Sequence, residues 1–254
     1  MAKIIAFVNQ KGGVGKTTSC LNIGAALARK GKLVLLIDAD PQGNLTTSAG
    51  IVLNESNPTL YEVLKGEADI NSAIYADSSG SYAVIPADII LSSVDMELSS
   101  EPGREMILKE NIAHLQNAYD YILIDCPPSL SLITYMALTA ATGVIIPVQA
   151  HYLALNGVEQ LYKTILRVKG RLNPQLEVNG VILTMYDPRK ILNRNVFESL
   201  SKVFPDLIFD TTISSSIALA EAPSVGKDIF SHKPYSKSAE QYDNIAEELL
   251  ERGL

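Results

Sequence analysis

Two cysteines, three histidines and a shortage of basic charge are what this 254-residue chain has least of, and each scarcity excludes something. Cys20 and Cys126 have no CxxC spacing, so there is no disulfide framework, and the pair fits a reducing compartment. His114, His151 and His232 are scattered without ligand spacing, which argues against a metal–histidine site. No apolar run approaches the ~20 residues of a membrane span. Lys plus Arg (21) against Asp plus Glu (28) gives a net charge of −7, so this is not a globally basic nucleic-acid binder. Any contact with DNA must come from a local patch. There is no low-complexity run, internal repeat or Pro/Gly-rich linker, and 47% of residues are hydrophobic, which excludes disorder. The chain reads as one domain over 1–254, soluble and cytoplasmic.

Short apolar runs alternate with longer helical patterns. Strands are predicted at Ile4–Val8, Leu33–Ile37, Tyr82–Ile85, Tyr121–Ile124, Val144–Val148 and Val178–Thr184. Their near-continuous hydrophobicity is that of parallel strands buried on both faces. Helices are predicted at Lys16–Arg29, Arg104–Asn117, Leu130–Ala141, Leu155–Leu172 and Asn195–Phe204. The fold class is therefore α/β, a doubly wound, mostly parallel sheet with helices on both faces. Charge is uneven: Asn54 to Glu105 holds ten acidic and two basic residues. Either that segment is a solvated face of surface helices, or it is a docking surface for a basic partner segment.

Residues 10–18, Gln-Lys-Gly-Gly-Val-Gly-Lys-Thr-Thr, follow the first strand and open the first helix, the context of a P-loop. Gly12, Gly13 and Gly15, with Val14 between them, let backbone N–H groups wrap a phosphate at the positive end of a helix. Lys16 would reach the β/γ-phosphates and Thr17, followed by Thr18, would ligate Mg²⁺. The strict GxxxxGK[ST] pattern fails at Gln10, and a second lysine, Lys11, stands in the loop. Two strands then end on acids: Asp38-Ala39-Asp40 and Asp125-Cys126-Pro127-Pro128. In an open α/β sheet these share the rim of the P-loop. Asp125 fits a magnesium-side carboxylate, while Asp38 and Asp40 offer a further magnesium group and one that orients the attacking water.

At these residues the sequence resembles the ParA/Soj family of partition ATPases, in the wider group that includes MinD. The carriers are Lys11–Thr18, Asp38–Asn44, Asp125–Ser129, Pro147–Ala150, Ile182–Asp187 and Leu219–Lys227. The resemblance implies ATP and Mg²⁺ as ligands and a homodimer that forms on ATP. It implies that Lys11 reaches the partner copy's phosphates, that Asp40 is tied to hydrolysis, and that Met185 and Pro223 flank the adenine. It also implies non-specific binding of double-stranded DNA in the ATP state and stimulation by a ParB-like activator, with the nucleoid as location. Arg189, Lys190 and Lys227 are the implied DNA contacts, supplemented by Lys233 and Lys237. The stretch before Leu219 usually carries arginines in this family, and here it reads Ile213-Ser-Ser-Ser-Ile-Ala-Leu219. That leaves an alternative, a nucleotide-switched positioning adaptor for a protein cargo with little DNA binding. A membrane helix of the MinD type is not expected, because Ser238 to Leu254 has five acidic residues and only Arg252 basic.

Overall fold

The computed structural model describes residues 1–151 and 154–254. Seven strands, β1 (Lys3–Phe7), β2 (Val34–Asp38), β3 (Tyr75–Ala76), β4 (Ala83–Ile85), β5 (Tyr121–Asp125), β6 (Gly143–Gln149) and β7 (Glu177–Thr184), form one sheet in the order β3-β4-β2-β5-β1-β6-β7. All neighbours pair parallel except β3 with β4. The six strands read from the sequence are all present. The two-residue β3 was not among them, since so short an edge carries no apolar period.

Successive side chains of a strand face opposite ways, and here that alternation divides the core in two. Ile4 and Ala6 of β1 enter one apolar cluster while Ile5 and Phe7 enter the other, and Leu35/Ile37 and Leu36 of β2 divide likewise. The first cluster is covered by α3 (Leu60–Lys65), α4 (Val94–Glu97), α5 (Ile107–Ile112), α6 (Leu132–Ala140), α7 (Ala154–Arg171) and α8 (Ile191–Val203). The second lies under α1 (Lys16–Arg29), α2 (Asn44–Ser48), α9 (Ile217–Glu221), α10 (Ile229–His232) and α11 (Lys237–Glu251).

Helix α1 has the bounds expected from the sequence. The expected helix Arg104–Asn117 is instead a short α5 between 3₁₀ turns at Arg104–Met106 and Ala113–Asn117. Leu108, Ile112 and Leu115 keep a buried face throughout, so the apolar period survives while the backbone tightens at both ends. Helix α11 was not expected. Ser236 caps it, and Tyr242, Ile245, Ala246 and Leu249 give it a buried stripe against α1, while its acids tie it to neighbours: Asp243 and Glu247 pair with Lys30, and Glu248 accepts from Asp210 N and Thr211 N. Among the described residues no helix is long and apolar enough to cross a membrane.

Much of the acidic segment 54–105 is structural. Asp69 and Asp88 cap helical turns, Glu62 completes a capping box with Thr59, Glu97 pairs with Lys65 at 2.7 Å, and buried Asp77 accepts from the backbones of Ser79, Ser81 and Tyr82.

Candidate active site

The parallel registers decide what meets at the carboxyl end of the sheet. Phe7 is level with Asp125, and Asp125 is level with Asp38, so the P-loop leaves β1 beside two buried carboxylates. The loop turns through positive φ at Gly13 (72°) and Gly15 (84°), which a side chain would strain. A Cβ on Gly15 would also lie 3.5 Å from Thr184 Cγ2. The Thr184 hydroxyl donates to the Val14 carbonyl at 2.8 Å and so pins the loop to the end of β7. Gly15 is the N-cap of the 14-residue α1 and supplies no side-chain cap. The first-turn N–H groups, with the positive end of the helix dipole, therefore face the cradle.

Lys16 is buried, at 6% exposure, and its Nζ donates to the Lys11 carbonyl at 3.4 Å. Burial lowers its pKa, opposed by the charges of Asp125, Cys126 and Asp40. Lys11 is exposed and points elsewhere: its Nζ donates to Gln149 Oε1 at 3.1 Å. Asn9 braces this arrangement from beneath, donating to Pro147 O at 2.7 Å and accepting from Lys11 N at 3.0 Å. Sequence reading missed both Gln149 and Asn9, because their role arises where β1 and β6 end side by side.

The Thr17 hydroxyl donates to Asp125 Oδ2 at 2.6 Å. A hydroxyl that gives away its only proton keeps both lone pairs for a cation. Among the described residues Asp125 Oδ1 is buried without a hydrogen-bond partner, a costly state for a carboxylate oxygen. Asp38 Oδ2 accepts from Thr46 N (2.8 Å) and Thr46 Oγ1 (2.7 Å), and Oδ1 accepts from Asp40 N (3.1 Å). Thr46 was another residue the sequence did not reveal. Asp40, 7% exposed, accepts from Gln42 N at 3.0 Å and so shapes its own loop. Burial pushes the Asp38 carboxyl up to about 7, and burial together with the Asp38 charge raises Asp125 as well. The orphaned Oδ1, the donating Thr17 and two neighbouring carboxylates fit a divalent cation, with Thr17 and Asp125 nearest and Asp38 behind them.

These shifts carry a sign. Between the ordinary carboxylate pKa of about 4 and the folded value of about 7, the native state keeps a proton that the unfolded chain has released. Metal-free stability therefore falls as pH rises through that window and then levels. A divalent cation favours the ionised pair, so the rise in Tm given by excess Mg²⁺ over a chelator should be larger at about pH 8 than at about pH 5.5. Thermal unfolding at both values checks this, and a constant or shrinking gain would contradict it. Thr46→Val should cost about 1–3 kcal/mol in denaturant unfolding, because Ala87 N, which donates to Thr46 Oγ1 at 3.0 Å, would also lose its partner.

A cavity of about 160 Å³ adjoins the cradle, lined by Gly15, Thr18, Thr184, Met185, Ile213 and Tyr242 among others. Met185 adopts φ 51°, uncommon for a residue with a side chain, at the end of β7. Pro223 is not among the residues lining that cavity; it belongs to a turn, Ala222–Val225, packed against α2.

Of the implied DNA contacts, Arg189, Lys190 and Lys237 line a single groove, and Arg189 forms a two-point ion pair with Asp187 at 2.9 and 3.0 Å. Lys227 follows Gly226, whose carbonyl approaches Gly50, and Lys233 pairs with Glu221 at 2.9 Å.

A family model described as an AAA domain matches residues 2–178. The sporulation initiation inhibitor protein Soj of Bacillus subtilis (strain 168) is 46% identical over 253 residues, covering 100% of both chains. The chromosome partitioning protein ParA of Caulobacter vibrioides (strain NA1000 / CB15N) is 43% identical over 252 residues, 98% of this chain and 94% of that one. Among solved structures, cobyrinic acid a,c-diamide synthase from Mycobacterium smegmatis with bound ATP analog and magnesium superposes with a TM-score of 0.87 at 35% identity, covering 100% of this chain and 96% of that one.

Proposed function

This chain belongs to the ParA/Soj family of P-loop ATP hydrolases, and we propose that it works as the ATP-switched dimer of a DNA-partition system. The observation that carries the reading is the division of labour between two lysines of one loop. Lys16 is buried over its own cradle, whereas Lys11 is exposed at the rim and held by Gln149, available to a second copy. An ATP hydrolase that completed its site within one chain would need no such rim lysine.

In this mechanism Lys16 and the loop N–H groups bind the phosphates, and Met185 and its neighbours receive the base. Mg²⁺, when bound, supplies positive charge against the phosphate oxygens. Thr17, Asp125 and Asp38 would hold it, and Asp40 would orient water towards the phosphate. Lys11 of the partner subunit adds positive charge as the bond to the γ-phosphoryl breaks, the part an arginine finger plays. Loops 38–47 and 125–131 both begin on these carboxylates, so they can respond to the γ-phosphate and couple nucleotide state to dimerisation. A ParB-like partner would stimulate turnover and reset the cycle.

Duplex binding in the ATP state is the feature that separates partition from a cargo adaptor. Non-specific affinity comes from phosphate neutralisation, each contact contributing about 0.9 to the log–log salt slope. With Arg189 and Lys233 already paired to carboxylates, the slope per chain should be shallow, and pairing two chains should double it. A duplex titration across salt, with ATP and with ADP, measures this. Arg189→Glu with Lys227→Glu should abolish binding and leave ATP-dependent dimerisation intact. Absence of any binding at low salt would favour the adaptor.

A further inference from the structure

One groove of the molecule lies outside the phosphate cradle. It measures about 560 Å³ and runs between α6, the second half of α7 and the turn at Arg104–Met106. Its floor is apolar, made by half-buried Leu130, Leu132, Tyr135 and Leu172. Its rim is cationic, made by Arg104, Arg167 and Arg171, with Glu105 the one carboxylate, 3.5 Å from Arg104.

Arg104 is taken up by Glu105 and by the Ser99 carbonyl, which leaves the two arginines of α7. Among the described residues neither Arg167 nor Arg171 has an ion pair or a side-chain hydrogen bond. Lys163, Arg167 and Arg171 follow one another at intervals of four along α7, so they share one face, and all three are exposed. Leu166, 48% exposed, stands beside that stripe. A helix turned only to water has no use for an apolar trough flanked by unpaired guanidinium groups. Arginine beside apolar side chains is instead the composition of protein-recognition surfaces.

We propose that this groove docks a segment of a partner protein that presents apolar anchors flanked by carboxylates. Leucine-like side chains would fill the floor, and the carboxylates would accept from Arg167 and Arg171, for which planar two-point pairing is favoured. A phosphodiester backbone would satisfy the arginines and leave the apolar floor wet, so a peptide is the better fit. The groove also touches the ATPase cycle. Leu130 and Leu132 follow Asp125 on the loop into α6, where Thr134 Oγ1 donates to Ser129 O at 2.8 Å and Leu132 N donates to Asp95 Oδ1 at 3.1 Å. An occupant would therefore hold the loop that carries the metal-side carboxylate. That coupling rests on the proposed ATPase cycle, whereas the docking does not.

The test uses the full chain and fluorescence anisotropy. The probe is a labelled peptide with leucines at helical i, i+3, i+4, i+7 spacing and glutamates between them, set against the same peptide with lysine for glutamate. The acidic peptide should bind at least about tenfold more tightly, less so in high salt, and Arg167→Glu with Arg171→Glu should invert the preference. Both substitutions are at exposed positions, so the fold is not at stake, and unchanged thermal unfolding confirms that. Equal binding of the two peptides, absence of binding by the acidic one, or acidic-peptide binding that ignores the double reversal would overturn the proposal. Loss of duplex DNA binding in the same double variant, with the acidic peptide unbound by wild type, would assign the stripe to nucleic acid instead. A peptide that docks as described without changing ATP turnover would remove the coupling to the cycle alone.

Discussion

Lys16→Ala should weaken ATP binding by roughly 10²–10³-fold, the loss expected when a buried charge that pairs with the ligand is truncated. The reason lies in the site as it stands without nucleotide. Lys16 is the buried cation facing Asp125 and Asp40, and the cradle beyond it offers only backbone N–H groups and a helix end. Removing the ammonium leaves the phosphates opposite two carboxylates with no counter-charge from the chain's own cradle. Equilibrium dialysis or a fluorescent nucleotide titration measures the effect, and a Kd within a few-fold of wild type would contradict the assignment. ATP-dependent dimerisation should be lost with it. Arginine at this position should not rescue binding, because its planar head differs in shape from an ammonium already enclosed by the loop.

Lys11→Ala should behave differently, lowering turnover by about 10³-fold while nucleotide affinity of the monomer changes little, the signature of a charge that acts only across the dimer. The side chain is exposed and hydrogen-bonds to Gln149, so the fold has little to lose. Sedimentation with a slowly hydrolysed analogue should show a weakened dimer. The trans arrangement has a sharper test in mixing. In a mixed dimer of Lys11→Ala with Asp40→Ala, the first chain keeps its own Asp40 and receives Lys11 from the second, so one complete site forms. Two inactive variants should therefore regain turnover when combined. If Lys11 acts within its own chain no combination restores activity, and the trans role fails. Asp40→Ala alone should bind ATP and dimerise without hydrolysing it.

These contrasts show where the sequence was sufficient. The glycine turn after β1 and the strand ends were legible because each depends on local chain chemistry. Glycines permit the loop, an apolar run fixes each strand, and an acid that ends such a run must sit on the rim. The six longer strands and α1 followed from the same periodicity. Elements shorter than two turns were not legible, because α2, α9 and α10 gain their stability from packing and not from an internal pattern.

What only the tertiary structure decided is which groups meet across the sheet. Asp38 and Asp125 are 87 positions apart in sequence, yet the parallel register sets them level, and burial between them is what raises the Asp38 carboxyl to about 7. Gln149 reaches Lys11, and Asn9 reaches Pro147, only because β6 lies beside β1. The same holds for charge. By sequence Arg189 and Lys233 were free cations for DNA, and in the fold each already faces a carboxylate, whereas Arg167 and Arg171, unremarked in sequence, stand unpaired among the described residues at the rim of a groove. Composition fixes how many charges a chain carries, but pairing depends on distances of a few ångströms between segments remote in sequence, and those distances exist only once the sheet has assembled.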